Sequence, residues 1–184
     1  ASEIRAQGRN AVAVGADLRN EVEVNALVPL AVEAIGAIDC LINNASTFER
    51  DTVATSTRET WDLHMEVNLR APFLLSQAFQ AQLPQGRQGC IINIIDIHAD
   101  KPLGGFSIYS IAKAGLKMLT KSLAVEFGPD IRVNGISPGS IIWPEIKEYE
   151  SEHQAIIDKT LLKRQGSTND IANACIFLIN SADY

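Results

Sequence analysis

The sequence has few of the features by which proteins bind membranes or nucleic acids. Its apolar runs are all shorter than the roughly 20 residues that a transmembrane helix needs, and basic residues are outnumbered, with 16 Lys and Arg against 22 Asp and Glu. The resulting net charge of −6 disfavours phosphate backbones and anionic lipids, which are bound by clustered Lys and Arg. We therefore expect a small-molecule substrate as the partner, and no nucleic acid or membrane.

Cysteine and histidine are also scarce, with three of each. They are Cys40, Cys90, Cys175, His64, His98 and His153. Their spacing matches no Cys-x-x-Cys pair and no Cys/His ligand set, so we expect no metal site. The cysteines are expected to be reduced core thiols, as is typical of a cytoplasmic protein.

What remains is the composition of an ordinary globular domain, with 46% hydrophobic and 21% charged residues over 184 positions. The apolar runs predict strands at residues 11–16, 38–43, 90–95 and 131–136. The longer amphipathic segments between them predict helices at 21–35, 57–83, 108–127, 152–162 and 168–180. Short apolar strands alternating with helices indicate an α/β fold, a doubly wound Rossmann-like parallel sheet in a single domain with helices on both faces.

Tyr109 and Lys113 form a Tyr-x-x-x-Lys pair at the start of a predicted helix. Residues four apart share a helix face, so both side chains can reach one point. An ammonium group beside a phenol lowers the phenol's pKa from about 10, which suits a tyrosine to proton donation near neutral pH. The pair alone could equally be a solvated helix face. Its place after the strand at 90–95 favours a site, because ligands of such sheets bind beyond the carboxyl ends of the strands.

Five motifs follow one another along the chain. They are "ADL" with Asp17, "NNAS" from Asn43 to Ser46, "VNLRAPF" with Asn68, "YSIAK" with Tyr109 and Lys113, and "RVNGISPG" from Arg132 to Gly139. Taken singly they have plain explanations: Asn43 and Asn44 as turn caps, Asn68 as a satisfied helix residue, and Pro138 and Gly139 as loop residues. In this order, and over essentially the whole chain, they resemble the short-chain dehydrogenase/reductase family, with Ser46 where that family has glycine.

The resemblance implies hydride transfer between a nicotinamide cofactor and a small substrate. It makes Tyr109 the proton donor, Lys113 the residue that tunes it and holds the nicotinamide ribose, and Asn68 the anchor of a water relay to Lys113. The cofactor-binding residues that it implies are Asp17, Leu18, Asn44, Ala45, Ser46, Tyr109, Lys113, Pro138, Gly139, Ser140 and Ile141. It also implies a homotetramer, in which the 57–83 and 108–127 helices pair across an interface.

Two departures from the common family pattern resemble the pteridine reductases. Asp96 stands 13 positions before the tyrosine, where most members have a serine that holds the substrate carbonyl, and Phe48 stands where that subfamily has an aromatic residue over the pterin. The segment "PGSIIWPE", residues 138–145, is also similar to bacterial members. Ser46, Phe48, Asp96 and Tyr109 would then bind the substrate, with Asp96 assisting its protonation. Asp96 could otherwise be a strand-end cap or a surface carboxylate, and Phe48 a packing residue.

The family's Gly-rich phosphate turn is missing from the 184 residues. In the strand order 3-2-1-4-5-6, two strands should lie between those at 11–16 and 38–43. We therefore expect the domain to be incomplete at both ends, without its N-terminal strands and its last strand. The residues that select between nicotinamide cofactors would lie in the missing part, so NADPH follows from the resemblance only and NADH is not excluded.

Three functions remain open at this stage. The first is NADPH-dependent reduction of dihydropterins to tetrahydropterins, with dihydrofolate as a further candidate substrate. The second is an ordinary carbonyl reductase that acts on a 3-oxoacyl, sugar or alcohol substrate. The third is a non-catalytic scaffold or binding module on the same fold, against which the set of Asn68, Tyr109 and Lys113 argues.

Overall fold

Three parallel strands form the sheet of the computed structural model, which describes residues 1–142 and 150–180. They are β1 (Cys40–Asn43), β2 (Gly89–Ile94) and β3 (Ile131–Ile136), in the order β1-β2-β3. The register aligns Asn43 with Asn93 and Ile94 with Ile136, so the carboxyl ends of all three strands meet at one edge. The predicted parallel α/β sheet is confirmed.

Seven α-helices accompany these strands in the described part of the chain. They are α1 (Ser2–Ala6), α2 (Glu21–Ile35), α3 (Arg58–Met65), α4 (Ala71–Gln82), α5 (Ser107–Phe127), α6 (Glu150–Lys159) and α7 (Thr168–Asn180). The bounds of α2 are those that the sequence predicts. Asn20 caps its first turn by accepting from the amide of Val22 at 3.1 Å, and Gly36, with a φ of 85°, ends the helix. None of these helices is both long and apolar enough to cross a membrane.

Helices cover both faces of the sheet, because successive residues of a strand point to opposite sides. On one face, Ile91 and Val133 pack with Phe79 of α4 and Leu123 of α5. On the other, Ile92 and its neighbours pack against α7. The C-terminal half of α5 is therefore held against the sheet by buried apolar side chains.

The three cysteines, far apart in sequence, come together beneath α7. Cys40 and Cys90 are aligned neighbours on β1 and β2, and Cys175 of α7 packs in the same cluster. All three thiols are free, as the sequence predicts, and burial raises the pKa of Cys175. They serve here as small packing residues.

A buried chain of polar side chains crosses from the sheet to α5. Asn43 donates to Asn93 at 2.8 Å, Asn93 donates to Thr120 at 2.9 Å, and Thr120 donates to the carbonyl of Leu116 at 2.8 Å. Asn93 is fully buried. Such linked bonds fix the strands against the helix, because each buried polar group needs its partner.

The strand predicted at residues 11–16 is wrong. The segment pairs with no strand in the described part of the chain, and Val12 and Val14 are exposed by 53% and 36%. An apolar run becomes a strand only when a neighbour takes its backbone hydrogen bonds. The short helix α1 was not predicted, and α6 begins and ends two to three residues before its predicted bounds.

The single helix predicted at 57–83 is interrupted. Residues Glu66–Arg70 form a π-helical turn between α3 and α4, in which the amide of Ala71 bonds the carbonyl of Glu66. A π turn accommodates one residue more than an α turn and re-aims the side chains within it. Asn68 lies in the middle of this turn.

Candidate active site

The candidate site is built where the three strands end. Beyond the last ladder residues, Ile95 donates its amide to the carbonyl of Ile136 at 2.7 Å, and Ile97 donates to that of Pro138 at 3.2 Å. The segment after β2 is thereby joined to the segment after β3. The start of α5 lies across this edge, since α5 packs against both β3 and the short 3₁₀ turn Ile97–Ala99.

Asp96 and Tyr109 are in direct contact at this edge. The phenol of Tyr109 donates to Oδ2 of Asp96 at 2.6 Å, and Oδ1 of Asp96 accepts from the amide of His98 at 2.8 Å. Asp96 thus caps the 3₁₀ turn that follows β2, in agreement with its interpretation as a strand-end cap. It is also a hydrogen-bond partner of Tyr109. Burial, together with the bond to Asp96 and its charge, raises the pKa of Tyr109 well above its ordinary value.

Lys113 is buried one helical turn from Tyr109. Its Nζ donates to the carbonyl oxygen of Ile94 at 3.0 Å and lies 5.7 Å from the centre of the Tyr109 ring. Burial lowers the pKa of Lys113 to about 8, against the opposing charge of Asp96. The expected lowering of the tyrosine's pKa by Lys113 is wrong for this arrangement, because burial and Asp96 decide its direction.

Asn68 fastens the loop that follows β1. Its Oδ1 accepts from the hydroxyl of Ser46 and from the amide of Thr47, both at 2.9 Å, and its Nδ2 donates to the carbonyl of Thr47 at 3.0 Å. The side chain is almost fully buried. Asn68 therefore binds the loop directly, and its link to Lys113 through water stays a prediction.

Phe48 lies beside the tyrosine, at the outer side of the site. Its ring stacks on Phe106 with centroids 4.2 Å apart and planes inclined by 9°, and it meets Tyr109 edge-on at 4.8 Å. Yet 41% of Phe48 stays exposed. Phe48 therefore has the packing role that the sequence left open, and it also presents aromatic surface next to the phenol.

Comparisons with known proteins agree on the family. The family model described as enoyl-(acyl carrier protein) reductase matches residues 1–183. A probable galactose dehydrogenase of Rhizobium meliloti is 35% identical over 92% of this chain and 68% of its own length. The chain belongs to the short-chain dehydrogenase/reductase family.

Solved structures of this family superimpose on nearly all of the chain. FolM alternative dihydrofolate reductase 1 from Brucella canis, complexed with NADP, has a TM-score of 0.89 at 31% identity, covering 100% of this chain and 72% of that one. A short-chain dehydrogenase from Burkholderia cenocepacia in complex with NADP also has a TM-score of 0.89, at 32% identity, covering 97% and 73%. The relatives thus include both a named dihydrofolate reductase and dehydrogenases.

Most of the predicted cofactor residues of this short-chain dehydrogenase/reductase follow the carboxyl ends of β1 and β3 or lie on α5. Asn44, Ala45 and Ser46 follow β1 and are exposed, while Pro138, Gly139, Ser140 and Ile141 follow β3. Asp17 and Leu18 precede α2, and both carboxylate oxygens of Asp17 bind Arg19, which lowers the pKa of Asp17 to about 2. Trp143, Pro144 and Glu145 of the predicted "PGSIIWPE" motif lie outside the described residues.

The donors at this edge fit a nicotinamide ribose. Lys113 has three N–H groups and commits one of them to Ile94, so two remain for hydroxyl groups. A Cβ added to Gly139 would meet nothing nearer than Ile97, at 4.0 Å, so the backbone there is open to close approach. Within residues 1–142 and 150–180, no group of three or more His, Cys, Asp or Glu side chains is placed to hold a metal ion.

Three residues of the site have no signal in the family motifs. Phe106 forms the other half of the Phe48 stack. His64 is fully buried one turn before Asn68, where its Nδ1 lies 3.3 Å from the Thr47 hydroxyl. Asp51 accepts from the first amides of α5. Of these, only His64 could have been found locally, from its four-residue spacing to Asn68.

Proposed function

We propose that this chain is the catalytic part of an NADPH-dependent pteridine reductase that converts dihydropterins to tetrahydropterins, with dihydrofolate as a second candidate substrate. The observation that carries the proposal is the 2.6 Å hydrogen bond from Tyr109 to Asp96 at the carboxyl end of β2. The bond puts a carboxylate, which can only accept hydrogen bonds when ionised, beside the proton donor. Most members of the family have a serine at this position.

The chemistry of the two substrate classes explains why the carboxylate matters. A pterin offers ring N–H and amino donors and a ring nitrogen that must be protonated, whereas a ketone offers only an acceptor oxygen. An ionised carboxylate accepts hydrogen bonds and cannot donate them. Asp96 therefore suits a pterin, and it would suit a ketone only if it were itself protonated.

Each residue then has a role in the reduction. NADPH, when bound, supplies the hydride. Tyr109 releases its proton to the ring nitrogen, with Asp96 orienting the pterin through its N–H groups and holding the phenol in place. Lys113 binds the nicotinamide ribose through the donors that Ile94 leaves free. Asn68 holds the loop on which Ser46 and Phe48 form the wall of the substrate pocket.

NADPH is proposed as the cofactor because the Brucella canis and Burkholderia cenocepacia relatives are named as complexes with NADP. The proposal is tested by measuring the KM for NADPH and for NADH with the same substrate. We expect the lower KM for NADPH, and a preference for NADH would overturn this choice without affecting the roles of Asp96 and Tyr109.

The second candidate function is a carbonyl reductase or alcohol dehydrogenase. It is supported by relatives named for other substrates, such as the cyclopentanol dehydrogenase of Comamonas, which is 30% identical over 97% of this chain and 73% of its own length. The two functions differ in what they require of Asp96, so this residue decides between them.

The deciding experiment compares kcat/KM for dihydrobiopterin and for a simple ketone under NADPH. We expect the wild type to prefer the pterin, and Asp96→Ser to lower that rate at least tenfold, which equals about 1.4 kcal/mol of transition-state stabilisation. Asp100→Ser is the matched control, because Asp100 is exposed and pairs with Lys117 at 2.5 Å. A wild type that ignores pterins and reduces the ketone would contradict the proposal, and no turnover at all would support a scaffold.

The homotetramer is also a proposal. The proposal follows from the family resemblance, and it is supported by large exposed apolar side chains on α4 and α5, with Phe73 at 41%, Ile111 at 49% and Met118 at 61% exposure. Exposed apolar side chains on two helices that pack together suit a protein–protein contact. Light scattering on the full-length protein should give four subunits, and a monomer at micromolar concentration would refute this assembly.

A further inference from the structure

We infer that Asp51 is a positioning residue that fastens the substrate-side loop to the catalytic helix and thereby fixes Tyr109 relative to Phe48. The loop is residues 44–51, called here the Phe48 loop. The inference rests on the proposed role of Tyr109 as proton donor and concerns a residue that touches neither substrate nor cofactor in that scheme.

Asp51 caps α5 from a distance in sequence. Its side chain is buried, with 4% exposure. Oδ1 accepts from the amide of Ser107, and Oδ2 accepts from that of Ile108 at 2.7 Å. The first four amides of a helix lack partners within the helix, and a carboxylate also suits the positive end of the helix dipole. One side chain thus satisfies the first two amides of α5.

The residue that precedes α5 does not supply this cap. The residue at the N-cap of α5 is Phe106, which has no acceptor in its side chain and makes no cap bond. The cap is supplied instead by a residue 56 positions earlier. Removing it would leave the amides of Ser107 and Ile108 without the carboxylate that accepts from them.

The backbone of Asp51 reinforces the attachment. Its amide donates to the carbonyl of Gly105 at 2.8 Å, and Asp51 forms an isolated parallel bridge with Phe106. Gly105 has a φ of 78°, which a glycine adopts without strain, so the turn before α5 can approach the loop closely. Main chain and side chain of one residue therefore hold the same turn.

This attachment joins the two walls of the site. Phe48 lies three residues before Asp51 and stacks on Phe106, and Tyr109 lies two residues after Ser107 and meets the edge of Phe48. Proton transfer requires donor and acceptor to be held at hydrogen-bond distance, and a misplacement of about 1 Å can lower a rate by about 10²-fold. Asp51 thus acts through Tyr109 and Phe48 and not by contact with the substrate.

The test uses Asp51→Ala, Asp51→Asn and, as a matched control, Thr57→Ala in the full-length protein. Thr57 caps α3 by accepting from the amide of Thr60 at 3.2 Å, so its loss removes the cap of a different helix. For Asp51→Ala we expect kcat to fall by 10- to 100-fold while the KM for NADPH changes less than twofold. Asp51→Asn keeps one acceptor oxygen. We therefore expect its loss of kcat, expressed as a logarithm, to be at most two thirds of the loss in Asp51→Ala.

Hydrogen exchange supplies a readout that does not depend on the substrate. In Asp51→Ala the amides of Ser107, Ile108 and the Phe48 loop should exchange faster together, at least tenfold, and Thr57→Ala should leave them unchanged. Turnover is measured with whichever of dihydrobiopterin or a ketone the wild type reduces. Reduction of the ketone alone would therefore defeat the pterin proposal and still test Asp51.

Three results would overturn the inference. One is a folded Asp51→Ala variant with a kcat within twofold of wild type. Another is exchange that accelerates in α5 but not in the Phe48 loop, since the two would then not be coupled through Asp51. The third is a Thr57→Ala variant whose Tm and kcat fall as much as those of Asp51→Ala. Asp51 would then be an ordinary stabilising cap.

Discussion

Nζ of Lys113 donates to the carbonyl oxygen of Ile94 at 3.0 Å, which puts a buried ammonium group at the last residue of β2. Burial there lowers its pKa to about 8. The side chain is therefore charged below that pH and neutral above it, whereas in an unfolded chain it would stay charged to about pH 10.4. The bond thus places a titrating charge at the end of β2, two residues before Asp96.

We predict an alkaline limb in the pH profile of kcat/KM, with the rate falling as pH rises through about 8. Loss of the proton removes the charge and one donor that Lys113 offers to the ribose. Tyr109 does not account for this limb, because its pKa is raised away from that range. The measurement is kcat/KM from pH 6 to 10 with enzyme stability checked at each pH. A profile flat to pH 10 would show that Lys113 does not titrate where burial places it.

Tyr109→Phe should lower kcat by about 10²- to 10⁴-fold, the usual contribution of general acid catalysis. The phenylalanine keeps the ring that meets Phe48 at 4.8 Å, so the variant removes only the hydroxyl group. The dissociation constant for NADPH, measured by fluorescence titration, should stay within twofold of wild type. More than half of the wild-type rate in this variant would exclude Tyr109 as the proton donor.

Phe48→Ala should weaken dihydropterin binding far more than NADPH binding. Stacking contributes roughly 0.5–1.5 kcal/mol beyond the buried area, so the loss should be at least two- to tenfold in affinity. Phe48→Leu is the control, since it keeps apolar volume against Phe106 without a flat ring. Equal losses for both ligands, or full recovery in the leucine variant, would make Phe48 a packing residue only.

Asn93→Ala should destabilise the fold without altering the chemistry. It removes the middle of the buried chain from Asn43 to Thr120 and leaves polar groups without partners, at about 1–3 kcal/mol. Urea unfolding measures the change in free energy, and Asn134→Ala, a half-buried position on β3, should cost less. A stability equal to wild type for Asn93→Ala would show that the chain of bonds contributes nothing net.

Elements whose ends are marked locally could be predicted from the sequence. Helix α2 has its cap at Asn20 and its stop at Gly36, and its bounds were predicted to the residue. The segment at 11–16 carries the same kind of apolar run as β2 but pairs with no strand within residues 1–142 and 150–180. The sequence of a segment does not show which other strand will pair with it. Pairing is set by residues distant in sequence.

The candidate site likewise contains features that could be predicted from the sequence and features that could not. Tyr109 and Lys113 were found because their spacing and order match family motifs, and Asp96 was found because it replaces the serine that most members have 13 positions before the tyrosine. The direction of the pKa of Tyr109 was predicted wrongly, because burial and the orientation of the Asp96 carboxylate are properties of the folded arrangement. Asp51 was missed since its partners lie 56 and 57 positions away and cap rules look only at adjacent residues.

The π turn at Glu66–Arg70 bears on how this site responds to changes in chain length. Deleting Leu69 or Arg70 would restore an ordinary α-helical repeat between Asn68 and α4, and each residue of such a repeat turns the helix by about 100°. With α4 held in the core by Phe79, Asn68 would swing away from Ser46 and Thr47. An in-frame loss of one codon would thus leave a more regular helix and an unfastened loop. The orientation of the Asn68 side chain thus depends on the number of residues in the helix as well as on their identity. After such a deletion, a substitution elsewhere in the helix would not restore that orientation.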